Sequence, residues 1–102
     1  MIGETLRLLR VFNDYTMNEM SQKIGLSQSY ISELESGKKQ PSLHIIQKYA
    51  DAFDMKPSTL LLFSESLEKD QVYNQDKKQH VARAGMKLLK ILEKLGKLDE
   101  EE

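Results

Sequence analysis

Apolar residues recur along this chain at the spacing of one helix after another. Ile2, Leu6 and Leu9 predict a first helix over about residues 2–13. Thr16 followed by Glu19 is a capping box: the hydroxyl accepts from an amide that lacks an intrahelical partner, and the glutamate answers it. Met20 and Ile24 then form an i, i+4 apolar pair, and Gly25 sits where the chain must take a positive φ to turn sharply. A second helix therefore ends near Ile24. Leu26 re-enters the core, Ser27 caps a third helix, Ile31 and Leu34 point inward, and Gly37 terminates it. Pro41 and Ser42 introduce a fourth helix whose expected buried stripe is Leu43, Ile46, Ala50 and Phe53. Lys56-Pro57-Ser58 opens a fifth, with Leu60 and Leu61 in the core. Tyr30 and Tyr49 have an apolar body and a polar tip, which favours packing over stacking on a base. The fold class is all-α, and Thr16 to Pro41 has the layout of a helix-turn-helix.

The outward row of the third helix carries the candidate chemistry. An α-helix fits the major groove of B-DNA, where each base pair shows a distinct pattern of donors and acceptors. Gln28 can pair with the N6 and N7 edge of adenine, Ser27 and Ser29 can donate or accept, and Glu33 can accept from cytosine N4. A polar helix face taken alone is more often just solvated. The flanking pattern changes that weighting. Ile2-Gly3 with Leu6, Leu9 and Arg10, Met20-Ser21 with Ile24-Gly25, the run GLSQSYISELESGKKQPSL, and Ala50-Asp51-Ala52-Phe53 with Leu60-Leu61 together carry a family likeness. On these residues the chain resembles the Cro/C1-type helix-turn-helix regulators, the phage repressor and xenobiotic-response-element family, over residues 2–63.

The resemblance implies a compact five-helix lambda-repressor-like domain whose third helix enters the major groove. It places Ser27, Gln28, Ser29, Ser32 and Glu33 toward the bases, and Lys38, Lys39, Gln40 and Ser42 in the loop and helix start that grip phosphates. It also makes Arg10 and Glu35 a partly buried ion pair between the first and third helices. Such a pair adds little net stability but costs several kcal/mol to break on one side. Met17 stands where the family commonly has a Gln or Ser that touches a phosphate. That contact passes to the helix start itself, Thr16, Met17 and Asn18, whose free amides favour anions. Ser21 replaces the usual Ala, and its hydroxyl is expected to bond back to the preceding turn.

Leu62 and Phe63 extend the apolar run and require cover. Residues 64–75 are polar, with Leu67, Val72 and Tyr73 as the larger apolar exceptions, and read as a linker or short helix. From residue 76 to 102 a heptad seam follows: Val81, Ala84, Leu88, Ile91, Leu95 and Leu98, widened by Leu89 and Leu92. About twenty residues at about 1.5 Å each make a rod of about 30 Å, and its stripe must pack on its own domain or on a second chain. The second chain is favoured, because paired helix-turn-helix domains must be held about one turn of DNA apart, roughly 34 Å. Leu62, Phe63, Val81, Ala84, Leu88, Ile91, Leu92 and Leu95 are the expected dimerisation residues of a homodimer.

Composition narrows the function. The 102 residues contain no cysteine, so no disulfide or thiolate chemistry is available, which is compatible with a reducing cytoplasm. No apolar stretch is long enough to span a bilayer, and the start MIGETLRLLR lacks a signal-peptide core; the expectation is a soluble cytoplasmic protein with no membrane partner. Net charge is −1, where strong nucleic-acid binders usually carry a basic excess, so nonspecific binding should be weak and specific binding salt-sensitive. Lys77, Lys78, Arg83, Lys87, Lys90, Lys94 and Lys97 suit the solvated back of a dimer seam better than a membrane-surface helix, and Asp99 to Glu102 form an acidic end. His44 and His80 lie far apart in sequence with no carboxylate cluster at ligand spacing, so no metal or cofactor is expected. Neither a phosphate loop nor a nucleophile elbow supports an enzyme. The reading is a sequence-specific double-stranded DNA-binding transcriptional regulator, a repressor acting as a homodimer on a palindromic operator. Its rival is a protein-interaction module, antitoxin-like or anti-repressor-like, with a protein partner.

Overall fold

The computed structural model describes residues 2–69 and 77–100, with side chains of the last helix described over 80–95. Among the described residues six helices run in order: α1 (Ile2–Phe12), α2 (Met17–Ile24), α3 (Gln28–Ser36), α4 (Leu43–Ala52), α5 (Pro57–Lys69) and α6 (Lys77–Glu100). Val72 and Tyr73 of the expected linker, the side chains of Lys77, Lys78, Lys97, Leu98, Asp99 and Glu100, and the last two residues of the acidic end, Glu101 and Glu102, lie outside the described residues.

Helix α1 is the centre of the molecule. It packs on α3, α5 and α6, which explains why its burial exceeds the single face that the periodicity predicts: Thr5 and Leu8 are as buried as Leu6 and Leu9. Gly3 lets α1 approach α3 closely, since a Cβ there would stand 2.4 Å from the Leu34 carbonyl oxygen and 2.8 Å from that of Glu35. The Arg10–Glu35 pair joins the same two helices. Arg10 Nε donates to Glu35 Oε2 at 2.8 Å and Nη2 to Oε1 at 3.0 Å, while Nη1 donates to the Tyr15 carbonyl at 2.9 Å. The Tyr49 hydroxyl is buried nearby, and burial followed by the charge of Glu35 pushes its ionisation upward.

Several expectations give way to packing. The buried stripe of α4 is Ile45, Ile46, Tyr49 and Ala50; it is rotated toward Ile45 and Tyr49, leaving Leu43 at its edge and 63% exposed. Leu61 is also exposed, because α5 turns Thr59, Leu60, Phe63 and Ser64 inward. Helix α5 does not stop at the expected boundary after Phe63. It continues to Lys69, held by Ser64 and the partly buried Leu67. Two turns use Asp in the left-handed region, Asp14 at φ 57° and Asp54 at φ 54°, a conformation that Asp tolerates better than most side chains.

The C-terminal helix lies on its own domain. Phe63, Ala84 and Leu88 belong to the buried core, with Val81 and Ile91 packed against it. This corrects the assignment of Phe63, Ala84 and Leu88 to a second chain. Phe63 meets the ring of Phe12 at 6.3 Å between centroids, and a Cβ on Gly85 would lie 3.6 Å from that same Phe12 ring. Leu62 and Leu92 remain exposed. At the start of α6, His80 Nε2 lies 3.3 Å from Glu4 Oε1, and Glu4 also accepts from Arg7 at 2.6 and 2.9 Å.

Two predictions follow from this core. Gly3→Ala should destabilise the fold by about 1–3 kcal/mol through overpacking, in spite of a helix-propensity gain of roughly 1 kcal/mol, and lower the midpoint of thermal unfolding. Burial pushes the Glu4 carboxyl upward, but Arg7 and then His80 outweigh it and hold the group below its ordinary range. The folded state therefore takes up this proton less readily than the unfolded chain. The resulting stabilisation is complete above the ordinary carboxylate range and is lost as the pH falls through the lowered value. Melting curves at acid pH should show Glu4→Gln with a shallower decline than the parent.

Candidate nucleic-acid interface

Local chemistry sets the frame of α2 and α3. Thr16 Oγ1 accepts from the Glu19 amide at 3.1 Å, and Glu19 Oε1 accepts from the Thr16 amide at 3.0 Å, completing the capping box. Gly25 ends α2 at φ 71°, in the left-handed region that a Cβ would strain. Lys48 Nζ reaches the Ile24 carbonyl at 3.4 Å, supplying a cation where the last carbonyls of α2 lack partners. Ser21 behaves differently from its expectation. Its hydroxyl donates forward to the Leu26 carbonyl, because the fold-back at Gly25 brings that turn carbonyl, which has no helical partner, within reach. The serine thus ties the turn between α2 and α3.

Three helix starts share one device. The hydroxyls of Thr16, Ser27 and Ser42 accept from Glu19, Tyr30 and Ile45 amides at 3.1, 3.1 and 3.2 Å. All three residues are exposed. An accepting hydroxyl keeps its own proton, so each cap can still donate to an anion placed at the positive end of its helix. Met17 is partly buried against the core, which leaves its backbone amide as the group it can offer an anion.

Ser27, Gln28, Ser29 and Ser32 form an exposed row along α3. Gln28 is oriented by a neighbour: its Nε2 donates to Asn18 Oδ1 at 3.3 Å, linking the first turns of α2 and α3. One N–H and the carbonyl oxygen of the Gln28 amide stay available, which is the donor and acceptor set that adenine N7 and N6 require. Glu33 is half-buried and pairs with Lys39 Nζ at 3.3 Å, while the Lys39 amide donates to the Glu33 carbonyl at 3.1 Å. Lys39 Nζ also sits 5.4 Å from the centroid of the Tyr30 ring. Residues that the sequence assigns to separate roles, Glu33 to bases and Lys39 to phosphates, thus form one unit with Tyr30. They line an open recess of about 430 Å³ together with Leu26, Ser27 and Ser29. Lys38 and Gln40 are exposed beside it. The Asn18–Gln28 and Glu33–Lys39–Tyr30 links have no sequence signal, since each needs the angle between two elements.

A helix-turn-helix family model matches residues 6–60 of this sequence. The chain belongs to the Cro/C1-type helix-turn-helix family. The matched span contains the α2–turn–α3 segment between Thr16 and Pro41. Among curated relatives it is similar to the HTH-type transcriptional regulator SinR of Bacillus licheniformis, 30% identical over 71 residues, covering 69% of this chain and 64% of the relative. It is 24% identical over 94 residues to the immunity repressor protein of Bacillus phage phi105, covering 91% of this chain and 65% of that protein. The transcriptional regulator ClgR of Mycobacterium tuberculosis is 31% identical over 61 residues, 60% of this chain and 54% of its own length. The matches thus span somewhat less than two thirds of the length of these relatives. Among the described residues, no group of His, Asp or Glu could hold a metal ion, and no helix is long and apolar enough to cross a membrane.

The cap geometry predicts a separable pair of effects. Ser42→Ala should cost about 1 kcal/mol of stability by removing the α4 cap, whereas Ser42→Asp keeps a cap acceptor and should melt close to the parent. Thermal denaturation of both variants checks it.

Proposed function

We propose that this chain is a sequence-specific, double-stranded DNA-binding transcriptional regulator that lays α3 in the major groove and acts as a homodimer on a palindromic operator. The observation that carries the reading is Gln28, on the exposed first turn of α3, with Asn18 satisfying one N–H of its amide and leaving the adenine-matching pair free. Ser27, Ser29 and Ser32 supply further groove-facing polar groups. The hydroxyls of Thr16 and Ser42, the amides at the start of α2, and Lys38, Lys39 and Gln40 offer donors and charge to the phosphates on either side. The printed descriptions of the relatives, transcriptional regulators and a phage immunity repressor, support the same class. Repression would be steric, by an operator that overlaps a promoter and excludes polymerase.

Electrostatics shape how such a protein binds. Net charge is −1, and Lys39 is already paired with Glu33, so general attraction to the DNA backbone is small. Discrimination then depends on preoriented groups such as Gln28 and on two half-sites bound together. Doubling the phosphate contacts in a dimer steepens the dependence of affinity on salt.

Selection of binding sites from a random DNA pool tests the reading. Enrichment of a palindrome is expected; a pool that stays random would instead favour the protein-interaction module. Gln28→Ala should relax preference at one position per half-site, a discrimination of about 1–3 kcal/mol, and Asn18→Ala should blur that same position. Lys38→Ala should weaken binding evenly across sequences and reduce the salt slope by about one per site.

A further inference from the structure

An acidic side chain on a surface offered to phosphates weakens attraction, so the presence of Glu33 there calls for a reason. Its sequence position suggests a cytosine contact, but the fold gives the carboxylate another occupation. Gly37 ends α3 at φ 85° and turns the chain back, so that Lys39 returns beside Glu33. The Lys39 amide donates to the Glu33 carbonyl at 3.1 Å, Nζ lies 3.3 Å from Glu33 Oε2, and the same Nζ stands 5.4 Å from the centroid of the Tyr30 ring. Backbone, carboxylate and ring thus hold one ammonium against α3. The Lys39 side chain is nevertheless 57% exposed, and a carboxylate takes only part of what the three protons of an ammonium can donate. Lys38 is the contrast: it is exposed next to Lys39, and among the described residues no carboxylate pairs with it.

We infer that Glu33 is a positioning residue that reads no base and sets specificity by withholding the Lys39 charge from DNA that is not closely seated. The inference rests on the DNA-binding reading above and assigns Glu33 a part in it. A free lysine attracts phosphate over a Debye length of about 8 Å at physiological salt, whatever the base sequence. A lysine paired with a carboxylate is a dipole, whose field falls off faster with distance. It attracts little until a phosphate oxygen comes within hydrogen-bond reach, where its remaining protons can still make a charge-assisted bond. A loose complex on arbitrary DNA therefore gains little from Lys39, whereas a closely seated complex gains that bond. Specificity is the difference between the two, and it rises when the affinity for wrong DNA falls. Lys38 serves both kinds of complex alike.

Titration of the full chain with two duplexes over a range of salt tests this: the duplex enriched from the random pool, and a mixed-sequence duplex without that site. Glu33→Gln keeps the size of the side chain and removes its charge. It should raise affinity for the mixed-sequence duplex by about eightfold per chain at about 0.1 M salt and add about 0.9 to the salt slope, the worth of one further phosphate contact. Affinity for the selected duplex should rise much less, so that the ratio of the two falls. Asp51→Asn makes the same change in net charge at the far end of α4 from Ser42 and should leave that ratio at the parent's value. Lys39→Ala should leave the salt slope on the mixed-sequence duplex unchanged, whereas Lys38→Ala lowers it, and in the Lys39→Ala background Glu33→Gln should add nothing to the slope. If it adds as much there as in the parent, net charge accounts for the effect and the inference is wrong. If Glu33→Gln leaves binding to the mixed-sequence duplex as in the parent, with or without loss of preference at one base position, the inference is likewise wrong and the DNA-binding reading stands. A parent that enriches no duplex from the pool overturns both.

Discussion

The contact between α1 and the end of α3 governs this molecule. Helix α3 has nine residues, too few to persist alone in water, where isolated helices shorter than about 12–15 residues are marginal. Its position therefore comes from what holds it. Gly3 brings the α1 backbone against the Leu34 and Glu35 carbonyls, and the Arg10 guanidinium then binds Glu35 with two nitrogens and the Tyr15 carbonyl with the third. A single side chain thus joins α1, α3 and the turn that leads into α2. The fork of a guanidinium suits that task, since a lysine could not hold the carboxylate bidentately. The net energy of such a pair is small, but its removal on one side leaves a desolvated charge, so it fixes geometry more than it adds stability.

From that anchor the exposed face of α3 inherits its order. Asn18 on α2 sets Gln28, and Glu33 and Tyr30 on α3 set Lys39. These links reduce the motion that binding would otherwise have to freeze, which lowers the cost of recognition. They also mute charge: a lysine held by a glutamate attracts phosphate less strongly at a distance. Under the DNA-binding function proposed above, such a surface would attract the phosphate backbone weakly and rely on shape and hydrogen bonding for discrimination.

Helix α6 serves the domain first. Ala84 and Leu88 complete the core over Phe63 and Phe12, and His80 reaches Glu4. The same helix can present Met86, Leu89 and Leu92 outward only because its inner row is already fixed.

The sequence by itself determined the features that depend on near neighbours. The capping box at Thr16 and Glu19, the caps at Ser27 and Ser42, the left-handed turn at Gly25 and the all-α order of helices are short-range: each is set by residues three or four positions away. The Arg10–Glu35 pair was legible through family resemblance, carried by the residues around it. What the tertiary structure alone decided involves choices among equivalent local options. Periodicity marks α6 as apolar on a wide arc but cannot say which part faces α1 and α5. It could not turn Tyr49 in and Leu43 out, carry α5 to Lys69, send the Ser21 hydroxyl forward to Leu26, or join Glu33 to Lys39. Those outcomes depend on the angle and distance at which one helix meets another, and packing across the whole domain sets both.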